Sequence, residues 1–285
     1  MNEDTRLFNN AESEHTRHYA PGDIEGAITT VLATLTSDGS PLDIERLAGL
    51  DQFHSGGLEA TRLLARHAAI TAADHVLDVG GGLGGPARLL AHELGCQVTV
   101  IDLTEAYCRV GERLTAAAGL TERVRFWHGD ALNQPFEDQS FDVVWTQHSS
   151  MNIDNKAQLY SEIHRVLRPG GRLALYEVVA GAGGPALFPT PWARTAATSF
   201  LVTPEVLRAL LADAGLHERS WHDQSPWVGN WLRERQAERL QRGPAPNAPQ
   251  LQLLLGADFP TMARNLAVNL QEGRIAVVEG ILERR

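Results

Sequence analysis

The sequence predicts an α/β fold built on a mostly parallel sheet. Three observations carry that expectation. From residue 75 onward, short β-branched runs alternate with amphipathic segments of helix length, the pattern of strand–helix–strand units. The first junction, His75-Val-Leu-Asp-Val-Gly-Gly-Gly-Leu-Gly-Gly-Pro-Ala-Arg-Leu-Leu90, sets six residues, five of them glycine, between an apolar run and a helix opened by Pro86. The chain has 285 residues, 43% of them hydrophobic, enough to bury a sizeable core as one elaborated domain or as a domain with a cap.

Residues 1–74 read as helical. Asp23 is the expected N-cap of a helix with Ile24, Ala27, Ile28, Val31, Leu32 and Leu35 on one face, and Gly39-Ser40-Pro41 breaks it. Leu50-Asp-Gln-Phe-His-Ser-Gly-Gly57 follows, then a helix from Leu58 to about Ala69. Gly56-Gly57 ahead of that helix either presents free N–H groups to a ligand carboxylate or is an ordinary loop. Strands are expected at 75–79, at Gln97 to Asp102, at Val124 to Asp130, at Phe141 to Thr146 and at Arg172 to Val179. Thr104 is the expected cap of a helix through Tyr107, Val110, Leu114 and Ala118, stopped by Gly119. A helix carrying Leu159, Tyr160, Ile163, Val166 and Leu167 ends at Arg168-Pro169-Gly170-Gly171. Ala180 to Pro191 holds no clear element. Thr203-Pro204 opens another helix, closed by Gly215, and Leu216 to Asp223 is a sixth strand. Trp227 to Leu270 is too long for a structureless loop, so helices forming a cap are expected within it. Ile275 to Leu282 is the last strand. The organisation is thus a helical segment (1–74), a sheet core (75–224), a helical cap (225–273) and a final core strand (274–285).

Net charge is −10, and the basic side is 24 arginines with one lysine, Lys156. An acidic chain binds polyanions poorly, so nucleic acid is not an expected partner. No Gly-x-x-x-x-Gly-Lys loop exists, which removes P-loop nucleotide hydrolysis. A Schiff-base route would fall on Lys156, in the polar Asp154-Asn155-Lys156, and is discounted. Cys96 and Cys108 stand alone, without Cys-x-x-Cys or paired histidine spacing, so neither a disulfide nor a metal site is expected. No apolar run approaches the ~20 residues that span a bilayer. Met1 to Asn10 is polar and acidic, unlike a secretory signal. The expected location is the cytoplasm, with no membrane partner, and a homodimer is left open.

The glycine loop reads as a nucleotide-type cofactor site, and by itself it admits two ligands. Gly80-x-Gly82-x-x-Gly85, with Asp102 as ribose-binding acid, fits a dinucleotide fingerprint. Three features shift the balance to S-adenosylmethionine. That cofactor has no pyrophosphate, so close backbone approach suffices. Its ammonium and sulfonium favour a carboxylate such as Asp78 before the loop. Its single ribose and adenine are served by Asp102 and by the pair Asp130-Ala131.

At this point the sequence resembles the class I (Rossmann-like) S-adenosylmethionine-dependent methyltransferases. The resemblance rests on Val76-Leu-Asp-Val-Gly-x-Gly-x-Gly84, Val100-Ile-Asp102, Gly129-Asp-Ala131, Phe141-Asp-Val-Val-Trp145 and Leu167-Arg-Pro-Gly-Gly-Arg-Leu173, in family order over about residues 70 to 180. It implies a seven-stranded sheet whose last strand is antiparallel, with a substrate cap between strands six and seven. Within the family, Asp51-Gln-Phe-His-x-Gly-Gly-Leu-Glu-Ala60 looks like the small-molecule branch of sarcosine/dimethylglycine-type N-methyltransferases, where this stretch, Phe53 and Gly56 included, helps hold the methionine end. By the same resemblance Gly80, Gly82 and Gly84 line the methionyl portion and Asp102 binds the ribose. Leu103 packs on the adenine, Asp130 bonds its amino group with Ala131 beside it, Gln147 faces the amino acid part, and Tyr19 closes over the cofactor. The His148-Ser149-Ser150-Met151-Asn152 run departs from the glycine- or sarcosine-methylating pattern, so the acceptor is open while the reaction is not.

A sulfonium methyl is already activated, so the protein's task is to hold a nucleophile in line and exclude water. His148, at the carboxyl end of strand four, is the first candidate to take a proton, and His54 the second. Met151, Trp192, Phe200 and Trp227 are candidates for an apolar substrate pocket, each equally suited to plain packing. Arg194 is a candidate partner for a substrate carboxylate, or a solvated surface charge. The expected reaction is methyl transfer to a small molecule, at nitrogen first and otherwise at oxygen or carbon. A nicotinamide-dependent oxidoreductase and a non-catalytic cofactor-binding protein are the remaining readings.

Overall fold

The computed structural model describes residues 24–36, 42–243 and 251–285. Seven strands form one sheet in the order β3-β2-β1-β4-β5-β7-β6. They are β1 (His75–Val79), β2 (Gln97–Asp102), β3 (Val124–His128), β4 (Phe141–Gln147), β5 (Leu167–Ala180), β6 (Leu216–Asp223) and β7 (Ile275–Arg284). β1 to β5 run parallel to one another, and β7 runs antiparallel to both β5 and β6. The expected seven-stranded sheet with an antiparallel last strand is what forms.

Both sheet faces are covered. One packs under α3 (Gly57–His67) and α4 (Gly85–Leu94) through Leu64, Leu90, Trp145 and Val277. The other packs under α6 (Lys156–Val166) and α7 (Pro204–Asp213) through Val144, Ile163, Leu175 and Leu211. Double coverage explains why the central strands read as nearly continuous apolar runs rather than alternating ones. A third cluster joins α1 (Ile24–Leu35) and α2 (Ile44–Asp51) to α5 (Glu105–Ala117), with Ile28, Leu47 and Leu114 buried. The segment between β6 and β7 is helical, as expected: α8 (Ser225–Arg242), α9 (Gln252–Leu255) and α10 (Phe259–Gln271). No helix among the described residues is long and apolar enough to cross a membrane.

The structure refines several expectations. The separate helix α2, capped by Asp43 accepting from the Glu45 N–H, was not distinguished within residues 1–74. Asp23, the expected cap of α1, lies outside the described residues. Thr104 occupies the N-cap position of α5 without capping through its side chain. Its N–H instead donates to Asp102 Oδ1 at 2.8 Å. β3 stops at His128, two residues early: Gly129 N–H makes the last ladder bond to the Asp102 carbonyl, and Asp130 then opens a turn by accepting from the Leu132 and Asn133 N–H groups. β5 begins at Leu167, which pairs with Phe141 ahead of a register shift that absorbs Pro169 and the two glycines.

Candidate active site

The carboxyl ends of the parallel strands open into a cleft of about 1710 Å³, where open α/β sheets collect ligands. Its floor is the β1–α4 loop. Gly80 (φ +71°) and Gly82 (φ +58°) take conformations that L side chains rarely adopt. A Cβ on Gly80 would sit 2.6 Å from the Ser149 Cβ. The Gly80 N–H is held by the Ile101 carbonyl at 2.8 Å. The result is bare main chain facing the cleft.

Two acids flank this loop. Asp102, at the end of β2, accepts from the Gly82 N–H at 2.9 Å and from the Thr104 N–H at 2.8 Å, which fixes its carboxylate. Each oxygen retains a further lone pair for a ligand hydroxyl. Asp78 is buried in β1, and its Oδ2 has no partner. Burial, with the Asp102 charge adding, pushes the Asp78 carboxyl up to about 8. Asp130 lies past β3 in the cleft wall, its Oδ1 accepting from the Leu132 N–H at 2.8 Å.

Opposite elements supply a polar lattice. Thr61, on α3, lies with its Oγ1 3.1 Å from His54 Nε2, 3.2 Å from Gln52 Oε1 and 3.3 Å from Gln147 Oε1. Gln147 Oε1 also accepts from Trp145 Nε1 at 3.2 Å, while Gln147 Nε2 is left without a partner. His54 Nε2 lies 3.0 Å from the Gly57 carbonyl. His148 takes a left-handed backbone (φ +55°), rare for a residue with a side chain. Its N–H donates to the Tyr176 carbonyl at 2.8 Å, and its ring stacks on the Tyr176 ring at 5.3 Å. His148 Nε2 has no partner. Burial lowers His54 to about 4 and His148 well below the usual histidine range, with His54 adding to the latter. Both imidazoles are therefore neutral near pH 7.

Behind the cleft wall is a second buried group. Glu177 accepts from the Ser149 and Ser150 N–H groups at 3.2 Å each. Lys156 donates to the Ser150 and Ile153 carbonyls at 2.6 and 2.8 Å, and burial lowers it to about 8. The chain's single lysine thus braces the loop that carries His148.

Residues 77–175 match the family model described as a methyltransferase domain. About a third of the chain thus matches a methyltransferase domain, set in a Rossmann-like fold. Over 116 residues it is 40% identical to sterol 24-C-methyltransferase of Eremothecium gossypii, a stretch covering 41% of this chain and 31% of that protein. Over 105 residues it is 35% identical to glycine/sarcosine/dimethylglycine N-methyltransferase of Actinopolyspora halophila, covering 37% of this chain and 19% of that protein. Its fold resembles Haemonchus contortus phosphoethanolamine N-methyltransferase 2 in complex with S-adenosyl-L-methionine, with a TM-score of 0.72, 19% identity, and coverage of 90% of this chain and 60% of that one. The chain thus spans about a third or less of the length of these two curated relatives.

Against this methyltransferase frame, Phe53, His54, Gly56, Asp78, Gly80 and Gly82 all border the cleft. So do Asp102, Leu103, Asp130, Ala131, Gln147 and His148, and Met151 and Trp192 join them from the substrate side. Four candidates sit elsewhere. Gly84 (φ +75°) is the N-cap of α4 and faces away, where a Cβ would meet Phe126 at 2.4 Å. Gly81 takes its place in the lining. Arg194 pairs with Asp258 at 2.5 Å outside the cleft wall. Trp227 packs on the back of Gly56 within the core cluster under α3. Phe200 ties to the Met151 carbonyl through its backbone N–H rather than facing the cavity. Tyr19 lies outside the described residues. Reading the sequence missed Thr61, whose hydroxyl joins Gln52, His54 and Gln147, and Trp231, which stands in the cap wall. A threonine one turn into a helix after Gly-Gly gives no signal of a partner 86 residues away.

Proposed function

We propose that this chain binds S-adenosylmethionine in the cleft and transfers its methyl group to a small molecule with a largely apolar body, at a nitrogen. The observation that carries the reading is the set of unpartnered buried atoms in the cleft: Asp78 Oδ2, Gln147 Nε2 and His148 Nε2. An acceptor and a donor without partners suit the ammonium and carboxylate of an amino acid end, and bare glycine backbone beside Asp102 suits a ribose. The residues present therefore fit the cofactor. When bound, it supplies a sulfonium-activated methyl carbon.

The chain's own residues perform the remaining tasks. Asp78 and Gln147 hold the amino acid end, and Asp102 holds the ribose hydroxyls. Met151, Trp192, Leu266 and Phe259 offer the acceptor an apolar wall and keep water from the methyl carbon. His148, neutral and without a partner at Nε2, takes the proton released as nitrogen becomes methylated. Nitrogen is inferred from the likeness of Asp51–Ala60 to the sarcosine/dimethylglycine branch. With Arg194 turned to Asp258, the carboxylate partner expected for a small amino acid acceptor is spent elsewhere, which favours a bulkier, less charged amine.

Transfer of tritiated methyl groups to a panel of apolar amines, phenols and keto acids tests this. Label is expected on an amine, and His148→Gln is expected to lower turnover by about 10²-fold while leaving S-adenosylhomocysteine affinity within about threefold. Label on phenols or keto acids alone would contradict the nitrogen assignment. Equal loss of binding and turnover would contradict the role of His148.

A further inference from the structure

On the sheet face under α3, beyond Tyr176, three side chains from distant segments converge. They are His67 in the last turn of α3, His222 near the end of β6, and Glu279 in β7. One donor atom from each lies within 4.8 Å of the other two. His67 Nδ1 contacts Glu279 Oε1 directly, and the two imidazole rings stand 5.5 Å apart, tilted by 37°. His222 and Glu279 are registered partners on adjacent antiparallel strands, so both side chains project from the same face.

We propose that His67, His222 and Glu279 form a site for a divalent transition-metal ion, with zinc the best fit. Two imidazoles and one carboxylate make a three-ligand set that leaves a position for water. Glu279 is fully buried, so its carboxylate is stabilised by hydrogen-bond donors and by a neighbouring cation, a role that a metal ion can fill. Gln224 Nε2 donates to Glu279 Oε2 at 2.9 Å, orienting the group and leaving Oε1 turned toward the histidines. Both histidines are exposed, which provides an entry path and room for the fourth ligand. Bonds of about 2.1 Å place tetrahedral ligand atoms roughly 3.4 Å apart. No pair here therefore has to close by more than roughly 1.4 Å, within reach of rotation of two exposed imidazoles. An ion there would pin the C-terminal end of α3 to the sheet. The other end of that helix carries Gly57 and Thr61 at the cofactor cleft.

An ion pair of His67 with Glu279 would satisfy the carboxylate without His222, so His222 discriminates. Full-length protein stripped with a chelator is titrated with Co²⁺ and then Zn²⁺, following cobalt absorption bands and the unfolding temperature. Wild type and the exposed control His92→Ala are expected to bind one equivalent and to gain at least about 3 °C with zinc. His222→Ala is expected to weaken binding at least about tenfold and lose the thermal gain. No binding by wild type, or unchanged binding by a folded His222→Ala, would overturn the site in favour of the ion pair or of scattered surface histidines. Because the readouts are metal content and stability, the outcome is independent of methyl transfer.

Discussion

Asp78 is a buried carboxylate whose Oδ2 meets no donor, and that fact sets a proton ledger for the cleft. Its pKa in the folded chain, about 8, lies above the ordinary 3.8. A raised acid pKa means that the native state holds a proton the unfolded chain would lose, so this group's contribution to stability fades as pH rises from about 4 through about 8. At pH 7 the carboxyl is mostly protonated before any ligand arrives. A cation placed beside it favours the carboxylate and expels the proton. Binding of S-adenosylhomocysteine, which carries an ammonium, is therefore expected to release up to about one proton at pH 7 and almost none at pH 9. Calorimetry in phosphate and in Tris measures this directly. Uncorrected binding heats that are the same in the two buffers at pH 7 would mean that no proton is released and would contradict the placement of Asp78 against the ligand's cation. At this scale the sequence reveals residue type more readily than direction. Asp78, Asp102 and Gln147 were identifiable because they end strands whose order is periodic in the chain. Arg194, Phe200 and Trp227 look like cleft residues in sequence, yet Asp258, Met151 and Gly56 draw them elsewhere. Those partners are distant in sequence or encoded by no pattern.

Among the elements, α2 shows what local periodicity leaves hidden. Eight residues between a capping aspartate and the Phe53–Gly57 turn form a helix, and its last residue, Asp51, makes a fully buried ion pair with Arg88 of α4 at 2.7 Å. Arg88 also donates to the Gly111 carbonyl and to Thr115 Oγ1 of α5, joining three helices around the cofactor loop. Removing one partner strands a buried charge, whereas removing both does not. Arg88→Met is thus expected to destabilise the chain by about 3–5 kcal/mol, and Asp51→Leu with Arg88→Met to recover at least half of that loss. Urea unfolding measures both, and a double variant no more stable than the single one would show that the pair is not the coupling. Most strands were readable because they are short runs of β-branched and aromatic residues bounded by polar or glycine-rich turns, although β6 (Leu216–Asp223) has no β-branched residue. The bounds of β3 and β5 were not, since they depend on the turn at Asp130 and on the register shift beside Phe141.

Over the whole molecule, the sheet order brings the ends of β1, β2 and β4 into one cleft, and the segment between β6 and β7 walls it with Trp231 from α8 and Phe259 from α10. The strand–helix alternation foretold the sheet, and the length of 225–273 foretold a cap. No residue pattern foretold which side chains of that cap would face the cofactor loop, because its helices are placed by long-range packing. The central claim is that bare β1–α4 backbone, Asp78 and Asp102 together form a site for S-adenosylmethionine. Titration calorimetry of the full chain with S-adenosylhomocysteine, in wild type and in Asp102→Asn, tests it most directly. The account predicts one equivalent bound by wild type and affinity at least about tenfold weaker in the folded variant, since hydrogen bonds to a charged group contribute about 1.5–3 kcal/mol. Absence of binding by wild type, or equal affinity in the two proteins, would contradict it.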